Sequence, residues 1–279
     1  MGPGLRHPAA GGVALGVTAV ACACLVGLLG LPIAALVSRV PPSELLRRLQ
    51  DPALLDALRL SLITSFAATV TVAALGLPVA YLLATRSFPG KRLLEVLIDL
   101  PMVLPPTVAG VGLLMAFGRN GLAGGALGAV GLSIPFTTLA VVVAQVFVAA
   151  PFFIAATRAG LGEIDQRYLD AAATLRSSPA RTLFQVMLPL AFPSLLAGAA
   201  MTWARALGEF GATITFAGNM PGVTQTMPLA VYIALQSDLD AAVAMSVLLL
   251  TLSLGVLLGI RLASPGVSPW GHRAGRPSR

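Results

Sequence analysis

Six apolar stretches dominate this chain, at about residues 12–37, 58–85, 93–117, 136–156, 193–212 and 240–262. A helix needs about 20 consecutive apolar residues to cross the hydrocarbon core of a bilayer. In lipid every backbone N–H and C=O must find its partner within the protein, so spanning segments fold as helices or closed barrels. The runs therefore predict an all-α, polytopic membrane protein with about six transmembrane helices. Composition agrees: 57% of the residues are hydrophobic and 10% are charged, and the mean hydropathy is +0.89. Soluble domains carry about 25% charged residues. Residues 1–279 read as one transmembrane domain with short tails.

The formal charge of +7 does not point to nucleic acid, because the basic residues lie in short loops and tails between the apolar runs. With six spans, Arg6, Arg86, Lys91, Arg92, Arg158, Arg167, Arg176, Arg181, Arg261, Arg273, Arg276 and Arg279 share one side. Arg39, Arg47, Arg48, Arg59 and Arg119 take the other. The bias places both termini, and the loop at 161–190, in the cytoplasm of a bacterial cell. Cys22 and Cys24 fall within the first apolar run, which continues to Val37 and is too long for a cleaved signal. That run reads as a retained first span. His7 and His272 lie in the tails and assemble no metal site.

Prolines punctuate the third run at Pro101, Pro105 and Pro106, and precede and open the fifth at Pro189 and Pro193. Such helices can line a transport path or simply be accommodated by their neighbours, and the sequence leaves both readings open.

Between two apolar runs lies LGEIDQRYLDAAATLRSSPARTLFQVMLPL, residues 161–190. Leu161, Ile164, Tyr168, Ala171, Ala172 and Leu175 recur at spacings of three and four, the period of one helical stripe. Charged residues take the remaining positions. Ser177-Ser178-Pro179 then breaks the run, and a Ser before Pro suits an N-cap with Pro at the first helical position. An ordinary amphipathic loop helix and a docking helix both fit this stripe.

The order Asp170-Ala171-Ala172, Pro179, Val186, Leu188-Pro189 resembles the cytoplasmic docking loop of bacterial ABC-importer permeases. The resemblance implies that Tyr168, Asp170, Ala171, Ala172, Leu175, Arg176 and Pro179 meet an ATPase, with the small Ala residues allowing close approach. Arg176 stands where the family has Gly. Gly there supplies a positive φ without steric cost, so the turn is expected to use Ser177-Ser178-Pro179 instead.

A second stretch, 205–232, places Arg205 and Glu209 four residues apart on one helical face within an apolar setting. Ionisable residues in a membrane face a partner or a polar path, so a structural ion pair and a pathway role are both open. Gly218-Asn219-Met220-Pro221-Gly222 is a turn by composition, and 227–235 is too short to span. A polar solute crossing hydrocarbon needs hydroxyls, backbone N–H groups or helix N-termini to offset its lost hydration. Thr213, Thr215, Asn219, Thr224 and Thr226 concentrate such groups around the turn and, with Arg205 and Glu209, form the expected gate.

This stretch, together with Asp99-Leu-Pro101-Met-Val-Leu-Pro105-Pro106 and Gly118-Arg119-Asn120-Gly121, resembles the permease subunits of molybdate and tungstate ABC importers over roughly residues 55–260. Sulfate permeases are more distant. The resemblance implies a type I importer permease that works as a homodimer with two ABC ATPase subunits and an extracytoplasmic oxyanion-binding protein. It also implies that this chain binds no cofactor, with ATP and Mg held by the ATPase. Consistent with that division, Gly90-Lys91-Arg92 lacks the upstream Gly of a phosphate-binding loop, and no catalytic constellation is legible, so the chain is not expected to be an enzyme. The tail of about 17 residues after Leu262 is too short for a folded regulatory domain. A sulfate or thiosulfate permease is the nearest alternative. A stand-alone secondary transporter is a different class, and would need no docking loop.

Overall fold

The computed structural model describes residues 8–263, and His7, His272, Arg6, Arg273, Arg276 and Arg279 lie outside them. The described residues form helices α1 (Pro8–Ser38), α2 (Pro42–Arg48), α3 (Pro52–Thr85), α4 (Lys91–Val103), α5 (Pro106–Phe117) and α6 (Gly124–Ala129). They continue as α7 (Thr138–Gly162), α8 (Gln166–Thr174), α9 (Pro179–Thr182), a π turn (Leu183–Met187), α10 (Leu188–Leu207), α11 (Gly211–Phe216), α12 (Met227–Ser237) and α13 (Leu239–Ala263). Local chemistry sets the starts. The Ala53 N–H donates to Asp51 Oδ1 (3.0 Å) with Pro52 at the first position of α3, and the Ala140 N–H donates to Thr137 Oγ1 (3.3 Å) at α7.

Helices α3 and α7 are the scaffold, and they run parallel. Ala68 packs on Ala149, Gly76 faces Phe153 and Ile154, and Tyr81 and Ala84 join the cluster around Leu161, so the numbers rise together. Helix α10 is antiparallel to α7. A β-carbon on Gly160 would overlap Ser194, Gly198 lies against Phe153 and Ala156, and Thr202 Oγ1 donates to the Ala149 carbonyl (3.4 Å). Small residues let these helices approach, the usual solution where lipid supplies no hydrophobic driving force between helices.

A parallel α3 and α7 require the chain between them to return to the starting end. Helix α4 does so alongside α7, fixed by Arg158 Nη1 to Glu95 Oε1 (2.8 Å) and by Leu94 and Ile98 packing near Ile154. The chain then turns by 118° at Pro105, and α5 lies against the first half of α7. The expected single span at 93–117 is thus a sharply broken pair. Pro106 lacks an N–H and sterically disfavours helical backbone at Pro105, so the helix cannot continue. Among the described residues five helices are long and apolar enough to cross a membrane, or six if that pair counts as one span.

Helix α13 starts beside the start of α3, where Met245 and Leu249 pack near Ala57. It runs toward the end where α3 and α7 finish, the same end that carries the 161–190 segment. Helix α1 finishes at the opposite end, with Leu36 and Val40 against Val243, Ala244 and Val247.

Candidate functional site

The single stripe expected over 161–175 is broken between two helices. Helix α7 ends at Gly162, and α8 begins at Gln166 with the Arg167 N–H donating to Asp165 Oδ1 (2.9 Å). The Arg167 guanidinium bonds the same carboxylate (Nη2–Oδ2 2.6 Å) and holds it below the usual carboxylate range, so the cap stays charged at neutral pH. Leu169 turns inward with Leu161, Ile164, Met187 and Ala191, and Ala172 is buried. Tyr168 and Leu175, expected on the same stripe, are instead 55% and 82% exposed, because the break at 163–165 rotates α8 out of phase with α7. Ala171 and Asp170 are also exposed, the latter accepting from Gln166 Nε2 (3.1 Å). Tyr168, Ala171 and Leu175 therefore form the outward apolar face. Phe184, 65% exposed in the following π turn, extends the exposed apolar surface beyond α8 and carries no sequence signal that would mark it.

Arg176 overturns the expectation that the turn would avoid it. It adopts φ +53° itself. Its N–H donates to the Ala173 carbonyl (2.9 Å) and the Ser177 N–H to Ala172 (3.0 Å), which is a Schellman ending with Arg in the glycine position. Ser178 then caps the next helix at the Arg181 N–H (3.3 Å), with the exposed Pro179 first in α9, as the sequence predicts.

At the far end of α10 the helix stops at Leu207 and restarts at Gly211. Glu209 sits in this break, 1% exposed. Its Oε2 meets Arg205 Nη1 at 2.6 Å and its Oε1 accepts the Ala212 N–H at 2.9 Å. One buried carboxylate thus answers a guanidinium and the positive end of a new helix turn. The Arg205 side chain remains 29% exposed. Gly211 packs onto Pro106, and Gly110 onto Thr215 and Ala212, so the two most distinctive stretches of the sequence meet here.

The remaining expected gate residues divide. Thr213, Thr224 and Thr226 are buried within the chain, and the Thr213 and Thr226 hydroxyls have no hydrogen-bond partner among the described residues. Thr224 Oγ1 accepts the Met220 N–H (2.9 Å), and Thr215 Oγ1 donates to the Gly211 carbonyl (2.9 Å). Thr215 and Asn219 are partly exposed. The loop is anchored to the scaffold. The Met227 N–H donates to Ser61 Oγ (2.7 Å), and Thr138 Oγ1 to the Val223 carbonyl (2.8 Å). Phe136, at φ +62°, donates its N–H to the Phe216 carbonyl (3.3 Å) and lays its ring over Gly218. Sequence reading missed it, since Ile134-Pro135-Phe136 looks like any loop ahead of a helix.

A broken-helix membrane bundle with an exposed amphipathic loop at one end defines a transporter's membrane component. The chain belongs to the family described as "Binding-protein-dependent transport system inner membrane component", matched over residues 74–268. It is 43% identical over 235 residues to the molybdenum transport system permease protein ModB of Mycobacterium bovis, covering 84% of this chain and 89% of that one. It is 35% identical over 241 residues to the sulfate transport system permease protein CysT of Salmonella typhimurium, covering 85% and 86%. Among solved structures, a bacterial ABC transporter importing the polysaccharide alginate shares the fold, with TM-score 0.73 and 12% identity over 90% of this chain and 94% of that one.

Proposed function

We propose that this chain is the permease subunit of an ATP-driven importer whose cargo is molybdate or its close analogue tungstate. The observation that carries the cargo is the 43% identity to a molybdenum permease over most of both chains, against 35% to a sulfate permease. The subunit works as a homodimer, with two ATPase subunits at the 161–190 end and an oxyanion-binding protein at the other. Both termini face the cytoplasm, supported by the charge bias and by α13 finishing at the docking end. ATP and its Mg belong to the partner, and this chain contributes no catalytic residue.

The geometry suggests how work is passed on. Tyr168, Ala171 and Leu175 offer an apolar face to the ATPase, flanked by the charged Asp165 and Arg167. From there one helical path of 29 residues, Pro179–Leu207, leads to the Arg205–Glu209 break. A displacement at the docking end is delivered to the point where the membrane helix is interrupted. At that point Arg205 offers partial positive charge, and Glu209 limits how firmly it can hold a passing anion.

The test is ATP-dependent molybdate uptake by the chain reconstituted with its ATPase and binding protein, with sulfate as competitor. Molybdate accumulation resistant to excess sulfate supports the reading. Sulfate accumulation insensitive to molybdate would replace it with the sulfate alternative.

A further inference from the structure

Asp99 is exposed on α4 and has no hydrogen-bond or ionic partner among the described residues. It stands eight residues past the start of the helix at Lys91, about 12 Å along its axis. Its neighbour Ile98 packs near Ile154 of α7, eight residues short of the Gly162 end, so both helices put Asp99 at membrane depth. Arg92 and Glu95 share its edge of α4, at the spacings of three and four that align residues along a helix. The side chains of Glu95 and its partner Arg158 stay 27% and 41% exposed. Leu93, Leu97 and Leu100 form a separate flank of α4, which is exposed as well.

An unpaired carboxylate at that depth is costly in lipid, and the short Asp side chain cannot reach the surface as Lys and Arg can. A second copy of the chain, lying in the same membrane with the same sidedness, brings the same residues at the same depths. Its Arg158 and Arg205 are already bound to Glu95 and Glu209, and Arg59 lies toward the opposite end, near the start of α3. Neither lipid nor a second copy therefore satisfies Asp99, and water does.

We propose that the Arg92–Glu95–Asp99 edge of α4 lines a water-filled exit from the Arg205–Glu209 break to the docking-loop side, in which the Asp99 carboxylate keeps a departing anion from being retained. The edge leads to that break. Past Val103 the chain turns at Pro105, and Pro106 packs on Gly211, two residues from Glu209. Arg205 attracts an anion at one end of the route, and Asp99 repels it at the other. The route rests on the reading of the chain as a permease and not on which oxyanion it carries, so a failure of molybdate uptake with the labelling below intact would count against the cargo alone.

The experiment is thiol labelling of the full-length chain, with Cys22 and Cys24 replaced by Ala, assembled with its ATPase in inverted membrane vesicles with and without ATP. Methanethiosulfonates that cannot cross the bilayer attack thiolates, which form in water and not in hydrocarbon. Val103→Cys, 82% exposed one turn beyond Asp99 on the same edge, is expected to react about tenfold faster than Leu97→Cys on the other flank, since an apolar setting suppresses the thiolate. Asp99 should also favour a cationic reagent over an anionic one at Val103→Cys. Asp99→Asn should lower that ratio about fivefold, the effect of one unit charge within about 8 Å in water. Equal rates at the two positions in both conditions overturn the water-filled route, and a ratio unchanged by Asp99→Asn overturns the role of its carboxylate. The comparison of Val103→Cys with Leu97→Cys keeps Asp99 in place and decides the route if Asp99→Asn fails to fold.

Discussion

Gly211 stands so close to Pro106 that a β-carbon on the glycine would lie 2.5 Å from Pro106 Cβ. Both residues are on backbone that begins a helix after a break, so neither can yield by moving a side chain alone. Gly211→Ala should therefore push α5 and α11 apart, destabilising the protein by about 1–3 kcal/mol, as overpacking does elsewhere. Thermal unfolding of the purified chain measures this. An unaltered melting temperature would show that the contact relaxes freely.

Glu209→Ala removes the counter-charge of Arg205 and the acceptor of the Ala212 N–H together. Losing one member of a buried pair costs about 3–5 kcal/mol, and the partial exposure of Arg205 reduces this toward about 2. Glu209→Gln keeps an acceptor for the helix and should be milder. The double variant Arg205→Ala with Glu209→Ala should recover part of the loss, measurable as a coupling in a double-mutant cycle. Strict additivity would remove the ion pair from the account.

Arg176→Gly should preserve uptake and firm the end of α8. A non-glycine residue in the left-handed region carries roughly 1 kcal/mol of strain, which glycine relieves at some entropic cost in the unfolded chain. Hydrogen exchange at the Arg176 and Ser177 amides should slow. Faster exchange, or transport lost, would mean that the guanidinium makes a contact worth more than the strain.

Leu175→Asp places a charge on the outward face of α8 without touching the protomer interior, and should weaken ATPase association at least tenfold, the worth of an interface anchor. Ala172→Trp acts differently. Ala172 is buried in its own chain, so a Trp there displaces α8 from its seat and lowers stability as well as docking. Co-purification with the ATPase, scored beside the melting temperature, separates the two. Normal co-purification of Leu175→Asp would move the docking face elsewhere.

The spans were legible because bilayer thickness converts apolar length directly into a crossing. The bend was half legible: Pro105-Pro106 announces a break, yet no local signal carries its 118° angle, which packing of α5 on α7 and α11 sets. At Thr213, Thr224 and Thr226, polarity in an apolar setting signals need for a partner and not which partner. Here the Met220 N–H is the partner of Thr224, while the buried hydroxyls of Thr213 and Thr226 have no hydrogen-bond partner among the described residues. Arg176 and Phe136 were illegible for one reason. The positive φ of Arg176 belongs to the local Schellman ending of α8, and that of Phe136 goes with its long-range bond to the Phe216 carbonyl; in both, the backbone bonds overrule what the residue prefers alone.

The π turn at Leu183–Met187 inserts surplus backbone between the short helices α8 and α9 and the long α10. An α-helix advances about 100° per residue, so one residue more or less there rotates everything upstream by roughly that angle about the axis. If the turn tightened to α geometry during the transport cycle, α9 would swing sideways while α10 stayed seated on α7, with Ser194 at Gly160 and Gly198 at Phe153 and Ala156. The connection would then work as a clutch, passing on axial thrust while leaving the azimuth of the docking face adjustable.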